Sequence, residues 1–405
     1  MNTKVAFFLP DITDKEILSV EEVLRSGWIT TGKKVKLFEK KIAEYVKTKS
    51  AVCLNSATAA LEMCLRILDI GPGDEVITSA YTYTASCSVI KHVGATPVLI
   101  DTAKDSFYMN LESLENSITR KTKAIIAVDI AGRMCDYDKL LKIVKNKKYL
   151  FTPKNERQKA FGRILVIADA AHSFGASLCL KNSTWKKSGN VADFTAFSFH
   201  AVKNITTAEG GALTWRQTPK LNSKELYRDL MLLSLHGQSK DALAKANSDN
   251  WEYDIENFGY KCNMTDVSAA IGLSQLERYE KTLEKRKKII KKYDNFLEKF
   301  NVKVFTHFSK NFISSGHLYL VNLIGKSEIF RNALIEKMAK LGVSMNVHYK
   351  PLPMFTAYKN LGFNIKNYSN AFNVYKNEIT FPLHTLLTEN DIEYVLQMFD
   401  RSFRG

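Results

Sequence analysis

The chain opens with helical spacing and then settles into an alternation of strand and helix. Residues 13–47 place apolar side chains at intervals of three and four, which predicts helix, interrupted by SGWITTGK at 26–33. From there short apolar runs recur. AVCLN (51–55), DEVITS (74–79), TPVLID (96–101), KAIIAVDI (123–130) and RILVIADA (163–170) predict strands, with ATAALEMCLRIL (57–68) and TASCSVIKHV (84–93) as helices among them. DFTAFSFH (193–200) and GGALTW (210–215) supply two more strands of the same sheet. These runs are continuously apolar rather than alternating, which is the mark of a sheet buried on both faces, mostly parallel and covered by helices. The expectation is an α/β fold around a seven-stranded, mostly parallel sheet.

Beyond about residue 220 the texture changes. A long helical stretch runs from 264 to 300, followed by a mixed segment of HLYLVNL (317–323), EIFRNALIEKMAKLG (328–342), VSMNVHY (343–349) and a last helix at 389–400. A chain of 405 residues exceeds one hydrophobic core. The expected division is an N-terminal segment and large domain over 1–262 and a smaller C-terminal α+β domain over 263–405, entered through the long helix. The stretch 146–163 interrupts an otherwise compact connection, and long connections inside a domain are usually functional or floppy.

Composition adds little: 45% hydrophobic and 25% charged is ordinary for a globular chain. The net charge of +16 is the outlier. Much of it lies in 139–159 and 278–303, and in the second block Leu283, Ile289, Ile290, Tyr293, Phe296, Leu297 and Phe300 recur near helical spacing. That reads as an amphipathic helix with a wet basic face rather than a nucleic-acid reader, for no reader motif accompanies it. Six scattered cysteines form no metal-ligand spacing, and no apolar run is long enough for a signal peptide or a membrane span. The expectation is a cytoplasmic protein with reduced thiols, no metal, and neither nucleic acid nor membrane as partner.

Three features carry chemistry. Asn55-Ser56-Ala57-Thr58 follows a strand and opens a helix, where free N–H groups and the helix dipole suit a phosphate. Asp169 ends the buried run RILVIA, at the carboxyl edge where such sheets bind ligands, and His172 follows it. Lys203 comes just after DFTAFSF; a lysine with a lowered pKa forms Schiff bases. Each is weak alone, since Ser56 more often reads as just a helix cap and Lys203 as one of 58 basic residues. Together and in that order they match the needs of pyridoxal 5′-phosphate (PLP): a phosphate cradle, a partner for the ring nitrogen and a Schiff-base lysine. Tyr81 and Tyr83 in AYTYTAS could offer a flat face to the ring.

The blocks GWITTGKKVKLFEKKIAEY, LNSATAALEMCLRILDIGPGDEVITSAYTYTAS, GATPVLID, ADAAHSFGA, ADFTAFSFHAVKNITTAEGGALT, GYKCNMTDVSAAIGLSQLERYE and VHYKPLP span nearly the whole chain. In them it resembles the DegT/DnrJ/EryC1/StrS family of PLP-dependent nucleotide-sugar aminotransferases, of the aspartate aminotransferase fold (fold type I). The resemblance implies that Lys203 holds PLP as an aldimine, with pyridoxamine phosphate as the intermediate. It implies Asp169 on the ring nitrogen, His172 near the ring hydroxyl, Tyr83 stacked on the ring, and Ser56, Ala57, Thr58 and Ser198 at the phosphate. Asn263 would reach the phosphate from a neighbouring subunit, because the family builds shared active sites in a homodimer. Thr30, His348 and Tyr349 would face the sugar nucleotide. The implied reaction passes an amino group from glutamate to the ketone, at C4, of a nucleotide-linked keto-deoxysugar, for lipopolysaccharide or capsule amino sugars. The chain departs from the pattern at LSLHG (233–237), at Pro351-Leu352-Pro353 and in 146–163, all near substrate rather than cofactor. Two alternatives stand beside it. One is a PLP-dependent sugar dehydratase on the same fold, disfavoured because that branch replaces the lysine with histidine. The other is a non-enzymatic PLP- or nucleic-acid-binding regulator, which would need a further DNA-binding segment. A nicotinamide dehydrogenase lacks its GxGxxG after the first strand.

Overall fold

The computed structural model describes residues 4–240 and 252–404. Helices α1 (Asp14–Ser26) and α2 (Lys33–Val46) precede the sheet, and α1 is closed by Gly27 in the left-handed region at φ 73°. The main sheet takes β1 (Ala51–Leu54), β2 (Glu75–Ser79), β3 (Thr96–Ile100), β4 (Thr122–Val128), β5 (Leu165–Asp169), β8 (Phe194–Ser198) and β9 (Gly211–Trp215), in the order β1-β9-β8-β5-β4-β2-β3. Here β9 runs against both its neighbours, and the other pairs are parallel. All seven expected strands are present, in one mostly parallel sheet. Strands β1, β5, β8 and β9 are buried end to end, as their unbroken apolar runs require, while edge strand β3 exposes Thr96. Helices α3 (Ala57–Ile67), α4 (Ala85–His92), α5 (Leu111–Asn116), α6 (Tyr137–Asn146), α7 (Glu156–Phe161) and α8 (Ser223–Ser234) fill the connections between strands or follow β9.

A second apolar cluster forms around a three-stranded antiparallel sheet of β10 (Val302–Val304), β13 (Tyr319–Leu323) and β14 (Glu378–Phe381). The long helical stretch is two helices, α9 (Asp266–Glu277) and α10 (Tyr279–Leu297). They part at Arg278, whose guanidinium is held by Glu16 at 3.0 Å and Asp11 at 3.2 Å. As expected, α10 buries Ile289, Ile290, Tyr293 and Leu297 and leaves Lys281, Lys285 and Lys288 in water. A third sheet was not legible: β6 (Ser177–Cys179) and β7 (Trp185–Lys187) pair with the two-residue strands β11 (Phe308–Ser309) and β12 (Phe312–Ile313). The segment VSMNVHY is not a strand. Among the described residues its backbone forms isolated bridges, Val343 with Val5 and Asn346 with Thr380, rather than a strand ladder.

The stretch 146–163 is neither lid nor floppy loop. Gln158, fully buried, donates to the carbonyl of Leu68 at 2.7 Å, and Asn155 donates to the same oxygen at 3.1 Å. Arg157 reaches the Ile67 carbonyl at 3.2 Å, and Lys154 pairs with buried Asp74 at 2.8 Å. These groups satisfy the orphan carbonyls at the C-terminal end of α3. An eleven-residue helix is about 16 Å long, so they sit that far from the end where the candidate phosphate cradle begins.

Candidate active site

The carboxyl ends of β1, β2, β4, β5 and β8 open into a cleft of about 450 Å³, lined on its other side by Phe7, His317, His348 and Tyr349. At its floor, Ser56 caps α3 by accepting the Ala59 N–H at 3.0 Å. The Ser56 hydroxyl is thus a cap, and the N–H groups of Ala57 and Thr58 are the ones left without a helical acceptor. Gly211 explains why this helix end can lie against the sheet. A Cβ there would stand 2.3 Å from the Ser56 carbonyl carbon and 2.4 Å from the Ala57 nitrogen. Ser198, the buried last residue of β8, lines the same floor.

Asp169 is 6% exposed. Burial raises its carboxyl above the ordinary range, while the Ser86 hydroxyl at 2.6 Å, the Ala171 N–H at 3.2 Å and the charge of Lys203 pull it back. Ser86 in turn meets the Thr82 hydroxyl at 2.9 Å. Beside it, Asp129 directly follows β4, lines the cleft, and accepts from Cys135 N–H at 2.9 Å, Tyr137 at 2.8 Å and Ser173 at 2.7 Å. Burial pushes Asp129 up to about 6 despite these donors.

Lys203 sits in the turn after β8, its N–H bonded to the His200 carbonyl at 2.9 Å. Desolvation brings its amine down to about 8, with Asp169 acting in the opposite direction. The next residue clamps that turn: Asn204 donates to the Ser315 carbonyl at 2.8 Å and accepts from His317 Nδ1 at 2.9 Å. His172 receives the Ala131 N–H on Nδ1 at 3.2 Å, so its neutral ring carries the proton on Nε2 and donates to the Tyr349 hydroxyl at 3.0 Å. Burial, then Lys203 and His348, hold His172 well below the usual histidine range. His172 and His317 touch, with ring centres 4.4 Å apart.

The structure brings Ser56, Ala57, Thr58, Tyr83, Asp169, His172, Ser198, Lys203, His348 and Tyr349 to this one cleft. Tyr83 stands at its mouth, 61% exposed and 6.1 Å from the Tyr349 ring. Thr30 and Asn263 do not line it. Asn263 donates to Thr31 at 2.6 Å, and the carbonyl of exposed Thr30 accepts from Asp266 N–H at 3.0 Å. His200, to which the sequence assigned no role, faces the cleft with Glu209 at 3.5 Å. Sequence reasoning missed Ser86, Asn204, His317 and Asp129; the last carries the same signal as Asp169, a carboxylate closing an apolar run.

Comparison with known proteins places this geometry. Residues 10–400 match the model of the DegT/DnrJ/EryC1/StrS aminotransferase family. Spr1654 of Streptococcus pneumoniae, assigned as a sugar aminotransferase, is 50% identical in its PMP form, with a TM-score of 0.95 and 99% of both chains covered. It has also been solved in a PLP form. PseC of Helicobacter pylori, an aminotransferase of pseudoaminic acid biosynthesis, superposes with a TM-score of 0.85 at 28% identity over 99% of both chains. The spore coat polysaccharide biosynthesis protein SpsC of Bacillus subtilis is 34% identical over 98% of this chain and 96% of its own.

Proposed function

The chain belongs to the DegT/DnrJ/EryC1/StrS aminotransferase family and is a PLP-dependent sugar aminotransferase of fold type I; within that family we propose that it moves an amino group from glutamate to the ketone, at C4, of a nucleotide-linked keto-deoxysugar. The product would serve surface-glycan amino-sugar biosynthesis in the cytoplasm. The observation that carries the reading is convergence: two N–H groups of α3 without a partner among the described residues, a buried carboxylate and a lysine of lowered pKa meet in one cleft.

These residues fit PLP. Ala57 and Thr58 N–H with Ser198 would take the phosphate, Asp169 the ring nitrogen, His172 the ring hydroxyl side, Tyr83 a ring face, and Lys203 the covalent attachment. Bound there, PLP supplies an electron sink for negative charge at the donor's α-carbon. Asp169, held by Ser86, keeps a proton on the ring nitrogen through its negative charge. The Lys203 amine, part neutral near pH 7 because it is desolvated, can take a proton from the α-carbon and return it elsewhere in the cleft. Neutral His172 orients the Tyr349 hydroxyl and adds no second charge beside Lys203. Thr30 and Asn263, which lie outside this cleft, would serve that of a second copy in a homodimer with shared sites. We also propose that 1–262 and 263–405 are its two domains.

The test is amination of a panel of UDP-, dTDP- and GDP-linked 4-keto-6-deoxyhexoses with glutamate as donor, read by mass of the sugar product. Product from at least one member is expected. PLP-loaded protein that converts glutamate but aminates none of the panel would overturn the substrate assignment. Turnover by Lys203→Ala would overturn the site.

A further inference from the structure

We propose that Glu378 and Thr380 set the tautomer of His348, and so decide whether its Nε2 offers the sugar substrate a hydrogen-bond donor or an acceptor. The inference rests on reading the cleft as the sugar site, and it begins from a count of protons. His348 faces the cleft with Nε2, which has no protein partner among the described residues, and its Nδ1 lies 3.0 Å from the Thr380 hydroxyl. That hydroxyl lies 2.6 Å from Glu378 Oε1, and the other carboxyl oxygen accepts the His348 backbone N–H at 2.8 Å. Thr380 has one proton and two partners. If Glu378 is ionised, Thr380 must donate to it, and His348 must donate from Nδ1 to the threonine oxygen. Its Nε2 is then a bare acceptor. If Glu378 is protonated, it donates to Thr380, Thr380 donates to Nδ1, and Nε2 carries the proton into the cleft.

Glu378 is fully buried, without an ion pair among the described residues. Its neighbour Arg331 spends its guanidinium on the carbonyls of Tyr375 and Glu378 at 3.0 and 2.9 Å. Burial pushes the carboxyl up to about 8, against Thr380, the His348 N–H and Arg331. The ring of His348 stays neutral at either setting, for burial and the Lys203 charge bring it down to about 3. The other groups facing the pair are Tyr81, which donates to the His348 carbonyl at 2.7 Å, Tyr349, His172 and His317; burial keeps both histidines neutral and both tyrosines protonated. Below pH 8, therefore, Glu378 keeps its proton and His348 is a donor; above it, His348 becomes an acceptor. Glu378 is a positioning residue, acting through Thr380.

The experiment uses the full-length, PLP-loaded protein labelled with 15N-histidine, the His348 signal being assigned by its loss in His348→Asn. In the wild type the ring proton is expected on Nε2 below pH 8 and on Nδ1 above it. In Glu378→Gln, whose carboxamide donates as the acid does, it stays on Nε2 throughout. Thr380→Val uncouples the ring from pH. An unchanging tautomer in the wild type, or a switch that persists in Glu378→Gln, overturns the relay. With UDP-4-keto-6-deoxyhexose as probe, KM should rise about three- to tenfold above pH 8 in the wild type and stay flat in Glu378→Gln, while kcat follows the same pH profile in both. A ring that switches while KM stays flat overturns the substrate contact and leaves the relay standing.

Discussion

Replacing Gly211 with alanine tests whether the phosphate cradle depends on a close approach of β9 to α3. The added Cβ would stand 2.3 Å from Ser56 C, 2.4 Å from Ala57 N and 2.6 Å from Ser56 O, all backbone atoms. Relief to ordinary contact requires about 1 Å of movement. The helix has little freedom to give it, since Ala60, Leu61, Cys64 and Leu65 are fully buried. Overpacking of this kind costs about 1–3 kcal/mol. A shift of that size also carries the Ala57 and Thr58 N–H groups out of hydrogen-bond range of a phosphate. Losing one bond to a charged group is worth about 1.5–3 kcal/mol, so PLP affinity should fall about ten- to hundredfold or more. Thermal unfolding of the apo-protein and an absorbance titration with PLP read the two effects separately. Without the clash the sign reverses, because glycine-to-alanine changes at compatible sites stabilise by about 0.4–1 kcal/mol. An unchanged or raised Tm with intact PLP affinity refutes the reasoning.

The Lys203 amine, brought down to about 8, is about one-tenth neutral at pH 7, against about one part in three thousand for an ordinary lysine. Covalent capture of PLP by the apo-protein should therefore rise with pH through a midpoint near 8; a midpoint near 10 in stopped-flow absorbance would contradict the burial argument. Ser86→Ala removes the 2.6 Å donor from Asp169 and should raise that carboxyl further, lowering kcat about tenfold, with partial rescue by Ser86→Thr. Unchanged kcat across pH in Ser86→Ala would remove Ser86 from the site. Gln158→Leu uncaps Leu68 and should cost about 1–3 kcal/mol in denaturant melts while leaving kcat and KM alone; a changed KM would return 146–163 to the substrate side.

What the sequence disclosed follows from what a sequence can encode locally. Asp169 and Lys203 stand at the ends of apolar runs, and in a parallel sheet strand ends share one edge whatever the strand order. Their convergence was therefore legible. Ser86 was not, because its meeting with Asp169 needs β5 two places from β2 across β4. Asn204 and His317 meet across 113 residues, between a turn of the main sheet and the lead-in to β13. Gly211 was visible only as the opening of a strand run; its reason is the approach of α3, with ordinary strand geometry. The stretch 146–163 looked like an insertion because its task, capping helix carbonyls 87 to 90 residues earlier, leaves no local periodicity.

The charge of the chain does not gather at the cleft. A net +16 suits an anionic sugar nucleotide only if the charge reaches the site. Among the residues lining the cleft, Lys203 is the one lysine or arginine, and three carboxylates, Asp129, Asp169 and Glu209, line the cleft with it. The three histidines that do not touch solvent-side acids, His172, His317 and His348, are held neutral. A neutral imidazole offers direction, one donor and one acceptor, where an ammonium offers attraction from any angle. The cleft wall of this chain is thus suited to fixing the orientation of a polar, uncharged sugar ring. A diphosphate would have to be met by backbone donors or by a second copy, and the exposed loop around Thr30 leads into exposed Lys33, whereas Lys34 already pairs with Glu22 at 2.8 Å. In the proposed shared site, the division of labour would be sugar orientation by one chain and phosphate attraction by the other.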